Sequence, residues 1–181
     1  MNKLNIVLAF LFFVQTSMAQ DKYFTKEGYV SFFSHTIVED IKADNQQVLS
    51  IVDTTTGDIA IQLLMRSFQF KKALMQEHFN ENYVESYKYP KATFKGVILN
   101  LNELVEGDFE TEIKGILLVH GREKEVSTMV KVTKKNEMLI LTGHFMVEVA
   151  DFDIKIPSIV ANNIAKTIEV SFELKHKPYK Q

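Results

Sequence analysis

Three runs of alternating apolar and polar residues, joined by two short polar turns, constrain this chain more than any other feature of it. In the first run Phe109, Thr111, Ile113, Gly115, Leu117 and Val119 share one parity. His120-Gly121-Arg122-Glu123 turns the chain, and Val126, Thr128, Val130 and Val132 alternate after it. Lys134-Lys135-Asn136-Glu137 turns it again, into Leu139, Leu141, Gly143, Phe145 and Val147. A repeat of two marks a strand, because successive side chains leave opposite faces of a sheet. Strands joined by turns this short pair antiparallel.

Five further strands read the same way. Gly28 to Ser34 places Val30 and Phe32 on one face and Tyr29, Ser31 and Phe33 on the other. Gln46 to Val52 is closed by Asp53-Thr54-Thr55-Thr56-Gly57-Asp58, a polar turn with a glycine available for positive φ. Ile59, Ile61 and Leu63 alternate next, and Thr93 to Leu99 follows before Glu106-Gly107-Asp108 turns the chain into Phe109. Ile168, Val170, Phe172 and Leu174 form the last strand. Two segments break the period. In Lys72 to Glu85, Met75, Phe79 and Tyr83 repeat every four residues with Leu74 adjacent, opposite Gln76, Glu77, Asn80 and Glu81, as on an amphipathic helix. Ser158 to Ala165 follows Pro157, a residue suited to a helix start, and Ile159, Val160 and Ile164 are available to pack it onto the sheet.

The expected fold is therefore mainly all-β, an eight-stranded antiparallel barrel with one or two short flanking helices. Eight strands close around an interior just wide enough to be filled by side chains or to hold one small ligand. The chain has 14 phenylalanines, and rings can either plug such an interior or line it. Periodicity leaves both readings open, and leaves open which face of each strand points inward.

Composition removes several kinds of function. Lys3, the apolar run Ile6 to Val14 and the small residues Ser17-Met18-Ala19 read as a signal peptide cleaved after Ala19. The run is shorter than the roughly 20 residues of a spanning helix, and no Cys follows it to carry a lipid anchor. Residues 20–181 are then a single exported domain, without a linker or an internal repeat, long enough for one core. The net charge of −2 becomes slightly more negative once Lys3 is removed, and no basic stripe supports a nucleic-acid role. Without cysteine there is no thiolate chemistry and no Cys-based metal site. His35, His78, His120, His144 and His176 are scattered, with no H-x-H or H-x-x-x-H spacing, so no metal site is expected. There is no G-x-S-x-G elbow, and neighbouring Ser34 and His35 would leave opposite faces of a strand. Asp151 and Asp153 flank Phe152 and read as a solvated loop with backbone-capping carboxylates. No catalytic residue is expected. A hydrolase using His35, His78 or His120 near Asp151 would need those groups to converge in a cleft.

A set of short motifs narrows the reading. They are Val30-Ser31-Phe32 with Ser34-His35, Leu74 and Phe79, and Tyr89-Pro90-Lys91-Ala92-Thr93-Phe94. Gly115-Ile116-Leu117 with Gly121, Lys124 and Val126 follows, then Phe145 with Asp151-Phe152-Asp153-Ile154. In this order and spacing the chain resembles the YceI-like family over nearly all of its mature length. The resemblance implies an extended lipocalin-like barrel whose hydrophobic tunnel holds a long polyisoprenoid or another long-chain amphiphile such as a quinone or fatty amide. It implies a periplasmic or secreted protein with no general enzymatic activity and no cofactor beyond the bound lipid. Dimers are seen in the family, and a lipid carrier is expected to touch membranes transiently. The tunnel liners chosen from the alternating faces and these motifs are Phe32, Phe68, Phe79, Phe94, Leu117, Phe145 and Phe172. The chain departs from the family where Glu148 or Val149 occupies the region of a common Arg and Asp153 stands where Gly is common. Ile41-Lys42-Ala43-Asp44-Asn45 also lacks the usual Gly-x-Phe. The contrasting expectation is a packed barrel that acts through its surface as a stress-response or protein-interaction factor.

Overall fold

The computed structural model describes residues 22–101 and 105–179. The expected leader, residues 1–19, lies outside them. Nine strands follow in chain order: β1 (Lys22–His35), β2 (Asp40–Asp53), β3 (Asp58–Leu64), β4 (Gln69–Phe70), β5 (Lys91–Ile98), β6 (Gly107–Val119), β7 (Arg122–Lys135), β8 (Met138–Glu148) and β9 (Thr167–Pro178). Every pairing is antiparallel, in the order β1-β9-β8-β7-β6-β5-β3-β2, and β1 pairs β2 to close the ring. All eight expected strands are present. The two-residue β4, which no periodicity can announce, pairs Ala43 and Asp44 of β2 beyond the end of β3.

The first two strands are longer than their alternation suggests. β1 starts six residues before Gly28 and is bulged between Thr25 and Val30, so the extra residues scramble the parity that a sequence reader follows. β2 starts at Asp40 because Asp44 and Asn45 stay in the ladder while their side chains find polar partners. Tyr29 Oη donates to Asp44 Oδ1 at 2.5 Å and Asn45 Nδ2 donates to the Leu64 carbonyl at 3.1 Å.

Up-and-down connectivity sends alternate connections to opposite ends of the barrel. The lower end carries the 53–58 turn, the 98–107 connection, the 135–138 turn and both described termini. The upper end carries the β1–β2 hairpin, the 64–91 segment, the β6–β7 hairpin and the 148–167 connection. The two ends differ in packing. Below, Val48, Val52, Ile98, Leu101, Val132, Leu139, Leu141 and Leu174 are fully buried and fill the ring. His176 sits among them without solvent contact, its Nδ1–H directed at the Leu139 carbonyl (3.1 Å) and its Nε2 accepting from Ser50 Oγ (2.8 Å). Burial pushes the imidazole down to about 4, against the two backbone contacts that favour its charged form.

The helical segments are shorter than expected. α1 spans Ala73–His78 and widens into a π-type turn over Phe79–Tyr83. Phe79 and Tyr83 pack on the core as the four-residue repeat predicts, whereas Leu74 faces solvent at 61 % exposure. After Pro157 only one 3₁₀ turn forms, Ser158–Val160, and Ile159 is 91 % exposed rather than seated on the sheet. Pro157 starts a helical turn, but nothing in the sequence supplies a second turn's worth of apolar face.

Candidate functional site

The inward-facing residues of the upper half are as apolar as those below but do not meet. Around Ile61, Leu63, Ile113, Leu117, Val147 and Val170 lies a cavity. Its volume is 170 Å³ for the centre of a water-sized sphere, or 1120 Å³ for all atom-free space including the mouth. Thr93 and Thr128 carry the only polar side-chain atoms on its wall, among the described residues. Such a lining cannot anchor water, which needs two to four polar partners. It offers dispersion contact and relief from hydration, neither of which is directional.

Two devices roof the cavity. On one side, the ring of Phe79 from the π-type turn lies 5.4 Å from Phe32, 5.8 Å from Phe68 and 5.0 Å from Phe70. Offset and edge-on contacts among four rings hold the 64–91 segment over the barrel. On the other side, a 3₁₀ turn, Val149–Phe152, buries Val149 and Phe152 and leads to Ile154, which also lines the cavity. Asp153 ends this turn at φ 55°, a left-handed conformation that glycine adopts freely and aspartate tolerates.

All seven sequence-predicted liners, Phe32, Phe68, Phe79, Phe94, Leu117, Phe145 and Phe172, border this one cavity. The sequence reading missed the clasp on its roof. His120 and Gly121 form the β6–β7 hairpin tip with φ values of 51° and 73°, both positive as a tight two-residue turn requires. Gly121 has a further constraint, because a Cβ there would stand 2.7 Å from the Tyr89 ring. The His120 ring turns inward, edge-on to Tyr89 at 4.5 Å, with Nδ1 2.9 Å from the Phe152 carbonyl and Nε2 2.9 Å from Glu85 Oε2. One imidazole thereby joins the 64–91 segment, the β6–β7 hairpin and the 148–167 connection. Two ion pairs repeat the link: Arg122 to Asp153 and Lys124 to Asp151, both at 3.0 Å. The Arg122 guanidinium holds the Asp153 carboxyl below the usual carboxylate range. Asp151 and Asp153 thus bond to β7 side chains and do not cap backbone as expected. No sequence signal pairs His120 with Glu85, which lies 35 residues away and meets it only in space.

The histidines do not assemble. His35 pairs with Asp40 at 2.5 Å on the exposed β1–β2 hairpin, His78 is on the wet side of α1, and His176 is in the lower plug. Among the described residues no group of three His, Asp or Glu side chains is placed to hold a metal ion. No helix among them is long and apolar enough to cross a membrane.

The fold and the cavity together define a class: a closed eight-stranded antiparallel barrel, packed at one end and hollow and apolar at the other. The sequence matches the YceI-like domain over residues 16–176, and the chain belongs to the YceI-like family. Solved structures share the fold at low identity. A polyisoprenoid-binding domain from Saccharophagus degradans, implicated in plant cell wall breakdown, superposes with a TM-score of 0.77 at 15 % identity, covering 88 % of this chain and 99 % of that one. BcnA of Burkholderia cenocepacia gives 0.70 at 15 % identity over 82 % and 95 % of the two chains. The YceI protein of Campylobacter jejuni gives 0.65 at 13 % identity over 81 % and 90 %. No curated protein sequence matches the chain.

Proposed function

We propose that this protein binds a long-chain amphiphile, a polyisoprenoid, quinone or fatty-acid-like lipid, in the barrel cavity and carries or buffers it without chemical change. The observation that carries the proposal is the wall of the upper cavity, apolar except for two threonine hydroxyls. Each methylene-sized group moved from water into such a space gains about 0.8 kcal/mol. Because the contacts are non-directional, one cavity serves tails of several kinds, and polar groups near the opening select the head group. The polyisoprenoid-binding domain from Saccharophagus degradans supports the same assignment by fold. The leader-like residues 1–19 support a periplasmic or secreted setting, where a long-chain lipid needs a carrier to cross water. A carrier of this kind loads and unloads by touching membranes transiently, as a monomer or a homodimer.

The test is native mass spectrometry of the mature protein isolated from its own host, followed by organic extraction. A stoichiometric long-chain lipid is the expected result. A clean apo mass that stays apo after incubation with quinones, polyprenols and fatty acids would exclude the carrier and favour a barrel that works through its surface.

A further inference from the structure

The barrel wall is not hydrogen-bonded all the way up. β6 pairs β7 to the hairpin tip, Val119 with Arg122, and β8 pairs β9 to its end, Glu148 with Thr167. Between β7 and β8 the ladder runs only from Lys135 with Met138 to Val130 with Gly143. Above that pair the two strands part. Thr128 Oγ1 donates to the His144 carbonyl at 2.7 Å, a side chain standing in for backbone pairing as Asn45 does toward Leu64 between β2 and β3. The next cross-link is the Lys124–Asp151 ion pair at 3.0 Å. Between these two ties, Glu125 to Ser127 of β7 faces Phe145 to Glu148 of β8 with no backbone pairing among the described residues. Strand rise makes that interval roughly 10–13 Å tall.

The cavity reaches this gap. Val126 and Thr128 on one edge, and Phe145 and Val147 on the other, all line the cavity and all remain partly exposed. On the outer face Met129 and Met146 flank the parting, each 58 % exposed. Flexible thioether side chains suit a surface that apolar chains of varied shape must cross. The lower end is filled by fully buried side chains, and the upper end is roofed by the phenylalanine cluster and the Val149–Phe152 turn. The parting is held at its top by Lys124–Asp151 and Arg122–Asp153, pairs whose side chains are 43–60 % exposed, beside the His120 Nδ1 contact to the Phe152 carbonyl at 2.9 Å. Exposed pairs of this kind are worth about 0–1 kcal/mol each and are screened by salt.

We propose that the parting between β7 and β8 is the portal through which the lipid chain enters and leaves, sideways through the wall, with the two ion pairs as its releasable upper tie. The proposal rests on the lipid-binding reading above and adds the route to it.

The absence of native cysteine allows a direct test. Ser127→Cys and Met146→Cys together place two thiols where continuation of the ladder would set them opposite each other, both on the outer face, so that a bridge closes the portal without entering the cavity. Where the gap exceeds disulfide reach, a short bismaleimide makes the same closure. A second protein, Lys131→Cys with Thr142→Cys, bridges the same strands within their paired part. Uptake of a pyrene-labelled long-chain fatty acid and of a fluorescent farnesyl derivative is followed by stopped flow. The expected result is uptake slowed at least about tenfold by the upper bridge, equivalent to about 1.4 kcal/mol of barrier, with recovery on reduction of the disulfide and no effect of the lower bridge. Unchanged uptake with the upper bridge complete by intact mass would overturn the portal while leaving lipid binding in place. Failure of the folded, uncrosslinked protein to take up either probe would instead overturn the lipid-binding reading, and the portal with it.

Discussion

At the scale of single residues, the inner wall and the lower plug make opposite demands on polarity. Phe94 faces Leu117 across β5 and β6 and borders the cavity. Phe94→Asp would set a carboxylate in an apolar wall, at a cost of several kcal/mol for any apolar occupant brought against it. The expected outcome is loss of ligand retention in a protein that keeps its far-UV dichroism, with Phe33→Asp on the outer face as the neutral control. Retained binding would remove Phe94 from the site. His176 makes the second residue-scale prediction. In the unfolded chain its imidazole titrates near 6.5, and in the folded chain at about 4. Above 6.5 both states are neutral and its share of stability is complete. As the pH falls from 6.5 to 4 the unfolded chain binds a proton that the plug refuses, and stability is lost, by about 3 kcal/mol at the lower limit. Urea unfolding of the wild type and of His176→Gln between pH 7.5 and 4.5 should show this slope in the first and not the second. Equal slopes would show that the buried ring titrates normally.

At the scale of elements, β5 and β6 approach more closely than side chains permit. Gly96 and Gly115 are directly paired, and a Cβ on Gly115 would stand 2.3 Å from the Lys95 carbonyl oxygen and 2.5 Å from the Gly96 Cα. Those are backbone atoms and cannot turn aside. Gly115→Ala should therefore cost about 1–3 kcal/mol in urea unfolding, and an unshifted midpoint would mean that the strands separate freely there. The strands were legible in the sequence because one-sided burial writes a period of two into them. The bulged start of β1 and the brief β4 were not, since neither leaves a period. α1 was legible through Phe79 and Tyr83, but its widening at Phe79–Tyr83 begins where Phe79 meets Phe32, Phe68 and Phe70, rings that no local repeat announces.

At the scale of the whole molecule, the barrel divides its interior. The lower half fills with buried Val, Ile and Leu around one hydrogen-bonded His, and supplies a rigid base. The upper half keeps space open, and its roof hangs on aromatic contacts, one imidazole and two exposed ion pairs. A lipid held there binds the folded state alone, so it should raise the unfolding free energy by about 2.7 kcal/mol at one hundred times its dissociation constant. Thermal unfolding of delipidated and reloaded protein reads this directly. A midpoint indifferent to excess quinone, polyprenol or fatty acid would speak against occupation of the cavity. Opening at the parting should leave the lower half closed, and hydrogen exchange should be faster at the amides of Glu125 to Ser127 and of upper β8 that point across the parting than at Leu139 and Leu141.

The amino-acid sequence by itself determined the eight strands that close the barrel, the antiparallel order of the hairpins and the family, because alternation and short turns act locally and survive in a linear string. It also indicated seven residues that meet at one cavity, since parity selects a face and the motifs select among the faces. Only the tertiary structure decided that the upper half is hollow and the lower half full. That outcome depends on whether opposing side chains meet across a closed ring, which is a sum over eight strands and not a property of any one. The clasp of His120 with Glu85 and Phe152, and the parting of β7 from β8, belong to the same kind. Each is made by residues distant in sequence whose encounter is fixed by the closure of the barrel.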